Sequence, residues 1–187
     1  MAIKTFTTGE VLTAADTNTY LANSGLVYIS TTNISTSTTQ FVNAFSSAYT
    51  NYRAVFSVTG SAGNALYMRW LVGTTVQTGN MISQDVYVPY PANTFNAGGR
   101  GDQYGTFGAV FATYPTSFAV DILNPEVATY SSYISSIGVV GVSATDSRMI
   151  MFNGRNIATT QMNGFEITTA TAVTLSGTMT LYGYRKA

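Results

Sequence analysis

The sequence predicts a mainly β protein: an antiparallel, jelly-roll-like β-sandwich over residues 26–187, preceded by a short N-terminal helix within residues 1–25. Three observations lead there. Short apolar runs recur at intervals of roughly 10–15 residues, bounded by Gly, Asn and Pro turn signals, a spacing typical of sandwiches and barrels. Only the N-terminal segment carries a helical pattern. Aromatic residues make up 13% of the chain and charged residues only 9%, with Thr, Ser, Asn, Gln and Gly in place of the missing charge. Disordered chains show the opposite balance, so this one is expected to fold.

The elements follow in order. Thr13 is placed to cap a helix of roughly 10 residues, with Asp16 in the capping-box position near the positive end of the helix dipole. Gly25 stands where a left-handed C-terminal residue is favoured. So short a helix is marginal alone in water and must dock on its own body, a sister subunit or a larger assembly. Beyond Gly25, strands are expected at residues 26–30, 52–58, 65–72, 81–88, 104–111, 116–123, 131–142, 148–152, 164–168 and 178–184. Residues 34–40, mostly Ser and Thr, read as a loop or a polar edge. Tyr52, Ala54, Phe56 and Val58 share one face at period two, and Phe118, Val120 and Ile122 alternate against Ala119 and Asp121. Turns are expected at residues 60–64, 78–80, 114–115, 124–125 and 153–154. The last strand stops within three residues of the end of the sequence and is expected to be tied into a sheet. Phe45, Tyr49 and Tyr52 should fold a loop onto the core. Arg53 and Arg69 should point outward or pair with an acid such as Asp121.

Several function classes are excluded. Eight Lys and Arg balance eight Asp and Glu and are scattered from Lys4 to Lys186, with only Arg185 and Lys186 adjacent, so there is no basic stripe for nucleic acid. No run approaches the roughly 18 apolar residues needed for membrane insertion, and Lys4 has no apolar run behind it to make a secretory signal. With no His and no Cys, Ser–His and Cys–His nucleophiles, imidazole-bound zinc and disulfides are ruled out. There is neither a phosphate-binding loop nor a dinucleotide fingerprint, and no cofactor or metal site is expected. Eight carboxylates remain. Two facing each other would suffice for a glycosidase, which keeps a carbohydrate-active enzyme as a remote alternative to a non-enzymatic protein.

The segment TTGEVLTAADTNTYL at residues 7–21 resembles the short N-terminal segment of many tailed-bacteriophage structural proteins, where a similar helix precedes a variable β domain. FSSAYTNYR at residues 45–53, LYMR at 66–69 and GTMTLYGY at 177–184 are similar to strands of phage virion, fibre and decoration proteins. Thr17 stands where that segment usually carries Leu. The resemblance implies a virion component at the particle surface, commonly a homotrimer with a β-sandwich body. It makes Phe6, Val11, Leu12, Tyr20 and Leu21 the anchoring residues, in contact with tail, baseplate or capsid proteins.

Partner binding is expected in residues 89–105, the longest irregular stretch, because loops carry function on β scaffolds. Tyr90, Phe95 and Tyr104 would cover apolar sugar faces, and Arg100 would hydrogen-bond hydroxyls or carboxylates. Arg100, Gly101 and Asp102 also spell the integrin-binding tripeptide, a string short enough to arise by chance. Two readings follow: a fibre or adhesin-like appendage binding host-surface glycan, or a capsid decoration or head-fibre protein whose contacts are with the shell.

Overall fold

A computed structural model describes residues 7–11, 13–16, 25–79, 81–89, 96–102, 105–112, 114–128, 131–143 and 146–185. Among them the chain is mainly β. Its strands are β1 (Leu26–Ile34), β2 (Thr38–Phe41), β3 (Tyr49–Gly60), β4 (Asn64–Val72), β5 (Thr75–Val76), β6 (Met81–Pro89), β7 (Asn96–Asp102), β8 (Gly105–Val110), β9 (Thr116–Leu123), β10 (Ser131–Ser143), β11 (Asp146–Asn156), β12 (Gly164–Thr169) and β13 (Leu175–Arg185). They form an eight-stranded sheet in the order β1-β13-β3-β9-β10-β11-β6-β7, and a smaller sheet in which β2-β12-β4 is extended by β5 and β8. Every pairing among the described residues is antiparallel.

The alternation read from the sequence is the one that builds the core. Tyr52, Ala54, Phe56 and Val58 of β3 are buried, as are Phe118, Val120 and Ile122 of β9. Side chains of the two sheets meet: the rings of Phe56 and Phe107 are 5.4 Å apart, and those of Phe107 and Phe118 5.8 Å. Phe45 folds inward from the β2–β3 loop onto Tyr52 of one sheet and Phe165 of the other, at 4.8 and 5.8 Å between centroids. Burying each such ring contributes roughly 1.5–3 kcal/mol. β13 lies between β1 and β3, so the last strand is tied in on both sides.

Three expectations are corrected. The N-terminal helix is not seen: among the described residues before β1, only Ala14–Asp16 are helical, less than one turn. A nucleus that short is unfavourable unless elongation or packing compensates it. Residues 7–10 instead close a turn, with the Glu10 amide donating to the Thr7 carbonyl at 3.0 Å and the Thr7 amide donating to the Glu10 carboxylate at 3.2 Å. Gly9, at φ 88°, supplies the left-handed residue.

The turn expected at Asn153 and Gly154 is also absent, since β11 runs straight through both. Gly154 is there for space: a Cβ would lie 2.5 Å from Cζ of the buried Tyr133 ring. Finally, residues 96–102 are not irregular. They form edge strand β7, paired with β6 from Met81↔Asp102 to Tyr87↔Asn96.

Candidate functional site

Of the residues picked for partner binding, one is described, and it falls at the β7 edge of the large sheet. Arg100 stands on β7 opposite Ser83 of β6. Tyr90, Phe95 and Tyr104 lie outside the described residues. Of the anchoring residues, Val11 is 78% exposed, while Phe6, Leu12, Tyr20 and Leu21 lie outside the described residues. The N-terminal segment enters the body through β1, the opposite edge strand from β7. At about 4.8 Å per strand, the eight-stranded sheet is roughly 34 Å wide measured along its surface.

A different set of residues makes a concave site of mixed polar and apolar lining at one end of the body. Three loops converge there: residues 42–48 between β2 and β3, 124–128 of the connection between β9 and β10, and 157–163 between β11 and β12. Cross-loop hydrogen bonds fix them. The Phe45 amide donates to the Asn163 carbonyl at 3.1 Å, and the Met162 amide to the Pro125 carbonyl at 2.8 Å. Asn163 Nδ2 donates to Asn43 Oδ1 at 2.9 Å, and the Asn124 amide to Asn51 Oδ1 at 3.1 Å. Asn43 and Asn124 both sit at φ 53°, the left-handed region that Asn tolerates better than other side chains.

These loops enclose a cleft of about 220 Å³ lined by Ser47, Tyr49, Thr50, Glu126, Val127 and Gln161. The Tyr49 ring lies over Gly183 and meets Tyr52 edge-on at 5.8 Å, so it is held in place from behind. Tyr52 is itself locked, its hydroxyl donating to the Ser46 carbonyl at 2.7 Å and accepting from the Ser46 amide at 2.6 Å. Burial raises the Tyr52 phenol pKa, and the negative charge of Glu126 adds to the rise. The sequence singled out Tyr49 only as a packing residue. Glu126 and Gln161 had no signal beyond the Asn-Pro turn that precedes Glu126.

Two ionic networks elsewhere hold the sheets. Arg53 is bidentate to Asp121, with Nε and Nη2 each 2.9 Å from a carboxylate oxygen, and Tyr184 donates to the same carboxylate at 2.6 Å. The hydrogen bond to Asp121 raises the Arg53 pKa; burial, then that same carboxylate, raises the Tyr184 phenol. The expected Arg53–Asp121 pairing is therefore present. Arg69 pairs instead with Glu166, a buried carboxylate that also accepts from Gln40 at 2.9 Å. Under the large sheet, burial raises the Tyr133 phenol pKa well above its ordinary value. Its hydroxyl donates to the Thr106 carbonyl at 2.9 Å. A second cleft, of about 340 Å³, lies between edge strands β1 and β2 and is lined in part by Ile29, Phe41, Val42, Met179 and Leu181.

Among the described residues, no group of three or more His, Cys, Asp and Glu is placed to hold a metal ion, and no helix is long and apolar enough to cross a membrane. No protein-family model matches the chain, and neither does any curated protein.

Proposed function

We propose that this chain is a non-enzymatic structural protein of a bacteriophage particle, a fibre or adhesin-like appendage on the virion surface. Residues 1–25 anchor it to tail, baseplate or capsid proteins, and residues 26–187 form a β-sandwich that displays a binding surface for host glycan. The observation that carries this reading is the resemblance of residues 7–21 to the N-terminal segment of phage structural proteins. The topology fits it: that segment joins the body at the β1 edge, leaving the β6–β7 hairpin at the far edge of the same sheet for display.

Homotrimer formation belongs to the same reading. Tyr28, Val55, Ile82 and Met151 are 60%, 38%, 38% and 53% exposed. Their cross-strand partners put all four on the outer face of the large sheet. A weakly charged face with exposed apolar side chains favours burial against a sister subunit. The same face, set against a shell protein, would serve the decoration or head-fibre alternative. Two of the carboxylates that a glycosidase would need, Asp121 and Glu166, are engaged by Arg53 and Arg69 on different sheets.

The test is removal of residues 2–24. Particles assembled with the truncated chain should lack it, while the isolated truncated chain should keep the β circular-dichroism spectrum of the full chain. Normal copy number in the particle without residues 2–24 would refute the anchor.

A further inference from the structure

We propose that β7 is a self-pairing edge: two copies of this chain join antiparallel along it, Gly99 opposite Gly99, with Asp85 of each copy facing Arg100 of the other.

An unpaired strand edge is a template for another chain, and proteins blunt such edges by shortening, bulging or covering the strand. The other edge strands are treated in these ways. β1 carries a register shift between Tyr28 and Ser30, and β2 and β5 are four and two residues long. The free side of β8 is covered by the large sheet: the Thr106 amide donates to Ser83 Oγ at 3.3 Å, and the Thr106 carbonyl accepts from the Tyr133 hydroxyl at 2.9 Å. β7 has none of these devices. Its seven residues, without Pro or Lys, pair with β6 in unbroken register, and among the described residues no strand lies on its other side. Ala97, Gly98 and Gly99 are exposed.

Charge selects both the occupant and the register. Gly98 lies directly opposite the partly exposed Asp85, and the carboxylate reaches over it: a Cβ at position 98 would be 2.8 Å from Asp85 Oδ1. Among the described residues Asp85 joins no ion pair, since Arg53 goes to Asp121 and Arg69 to Glu166. Arg100 stands two positions beyond Gly98 on β7, a separation that returns a strand to the same face. With Gly99 on a two-fold axis, position 98 of one copy lies opposite position 100 of the other. Each Asp85 then meets an Arg100, and symmetry makes the contact twice. Other registers lose this match. An axis at Gly98 brings the two Asp85 residues together, and one at Arg100 sets Arg100 opposite Arg100; like charges so placed are destabilising. An axis at Gly101 pairs only three of the seven positions.

Gly99 fits the axis for a reason its own subunit does not supply. Its φ is not left-handed, and a Cβ there would meet nothing nearer than 3.9 Å. Opposite a copy of itself, at a Cα separation of about 4.5–5.5 Å, glycine leaves the approach of the two strands unobstructed.

Size sets the strength. Seven residues span about 24 Å of edge, and a strip that long and one sheet thick buries far less than the ~1,200 Å² of a standard interface. The contact is therefore weak and forms where copies are concentrated. It is made edge to edge and leaves the outer face of the large sheet open, so a trimer built on that face would be doubled, not blocked.

Sedimentation of the full chain from micromolar to millimolar concentration should show a reversible doubling of the mass present at the low end, whether that is a monomer or a trimer. Asp85→Arg should weaken the doubling at least about tenfold, because two attractions become two repulsions, and adding Arg100→Asp should restore most of it. The chain has no cysteine, so Gly99→Cys introduces one thiol per copy. At about 4.5–5.5 Å between Cα atoms the two thiols are within disulfide range, and copper–phenanthroline oxidation at millimolar protein should link them. Ala97→Cys places its two thiols roughly 14 Å apart and should cross-link at least about tenfold less. Circular-dichroism melts would show that each variant is folded. No doubling of the folded chain at millimolar concentration, equal cross-linking from positions 97 and 99, or failure of the charge swap to rescue Asp85→Arg would overturn the self-pairing edge.

Discussion

Replacing Arg69 by Met tests how the smaller sheet is held. Glu166 is 3% exposed on β12, directly opposite Arg69 of β4. Its Oε1 accepts from Arg69 Nε at 2.8 Å and from the Nη2 of the same guanidinium, and its Oε2 accepts from Gln40 Nε2 at 2.9 Å. Met at position 69 keeps most of the apolar stem but removes the counter-charge and two of those three donors. Breaking a buried pair from one side costs about 3–5 kcal/mol, because a charge is left buried without compensation. Gln40 remains, and the Arg69 side chain is 26% exposed, so water reaches the vacated position. The lower end, about 3 kcal/mol, is expected. For a chain of this length that is a fall of roughly 6–12 °C in Tm. Thermal and urea denaturation would measure it. Adding Glu166→Leu to the Arg69→Met background should then recover at least about 2 kcal/mol, since the stranded charge is gone and a hydrophobe fills its place. The reasoning fails if Arg69→Met costs less than about 1 kcal/mol, or if the second substitution lowers stability further.

Gly154→Ala should unfold the chain or cost several kcal/mol, because its Cβ would lie 2.5 Å from the ring of the fully buried Tyr133; a soluble variant with parental Tm would contradict the packing described. Burial holds the Tyr133 phenol proton in the folded state, whereas the unfolded chain releases it near pH 10. That contribution is complete below pH 10 and is lost above it, by about 1.4 kcal/mol per pH unit. Tyr133→Phe should cost about 1 kcal/mol at neutral pH through the lost bond to Thr106, yet show a shallower decline between pH 10 and 11 by guanidinium titration. Sedimentation at micromolar concentration should give a trimer, and a Met151→Arg substitution on the exposed sheet face should shift it towards monomer; a stable wild-type monomer would count against the oligomer.

The strands legible in the sequence were those with one face in the core and one in solvent. Tyr52 to Val58 and Phe118 to Ile122 alternate because neighbouring positions on a strand point to opposite faces, and the burial follows residue by residue. Segments without that contrast were not legible. β7 reads Asn-Ala-Gly-Gly-Arg-Gly-Asp, a composition typical of a loop, and is a strand only through its pairing with β6. Such tertiary context overrides local propensity. Asn153-Gly154 carries a strong local hairpin signal, yet the glycine serves the Tyr133 ring, whose place depends on three other strands. In the N-terminal segment, the Thr-x-x-Asp spacing at Thr13 suggested a helix of roughly 10 residues, of which Ala14–Asp16 are helical and residues 17–24 lie outside the described residues.

The cleft was illegible for a related reason. Tyr49 appeared as a packing aromatic, while Glu126 and Gln161 are far from it and from each other in sequence. Their meeting depends on which loops the sheet order brings to one end, and on hydrogen bonds such as Met162 to Pro125 that no local pattern announces. The Arg53–Asp121 pair was legible because both residues stand out as charged positions on otherwise apolar strands. Arg69 was expected to point outward or to pair with an acid such as Asp121; its acid is Glu166, which Gln40 and Arg69 flank from the two neighbouring strands and which the sequence did not single out.

The most direct test of the proposed role is the location of the chain in an intact particle. Purified phage carrying the gene would be labelled with gold-conjugated antibody raised against residues 26–187 and imaged by electron microscopy. Label on the surface of unbroken particles, concentrated on the tail or baseplate, is the expected result. Label on the head alone would select the decoration alternative. Unlabelled intact particles, with the chain absent from their protein content by mass spectrometry, would contradict the virion assignment altogether.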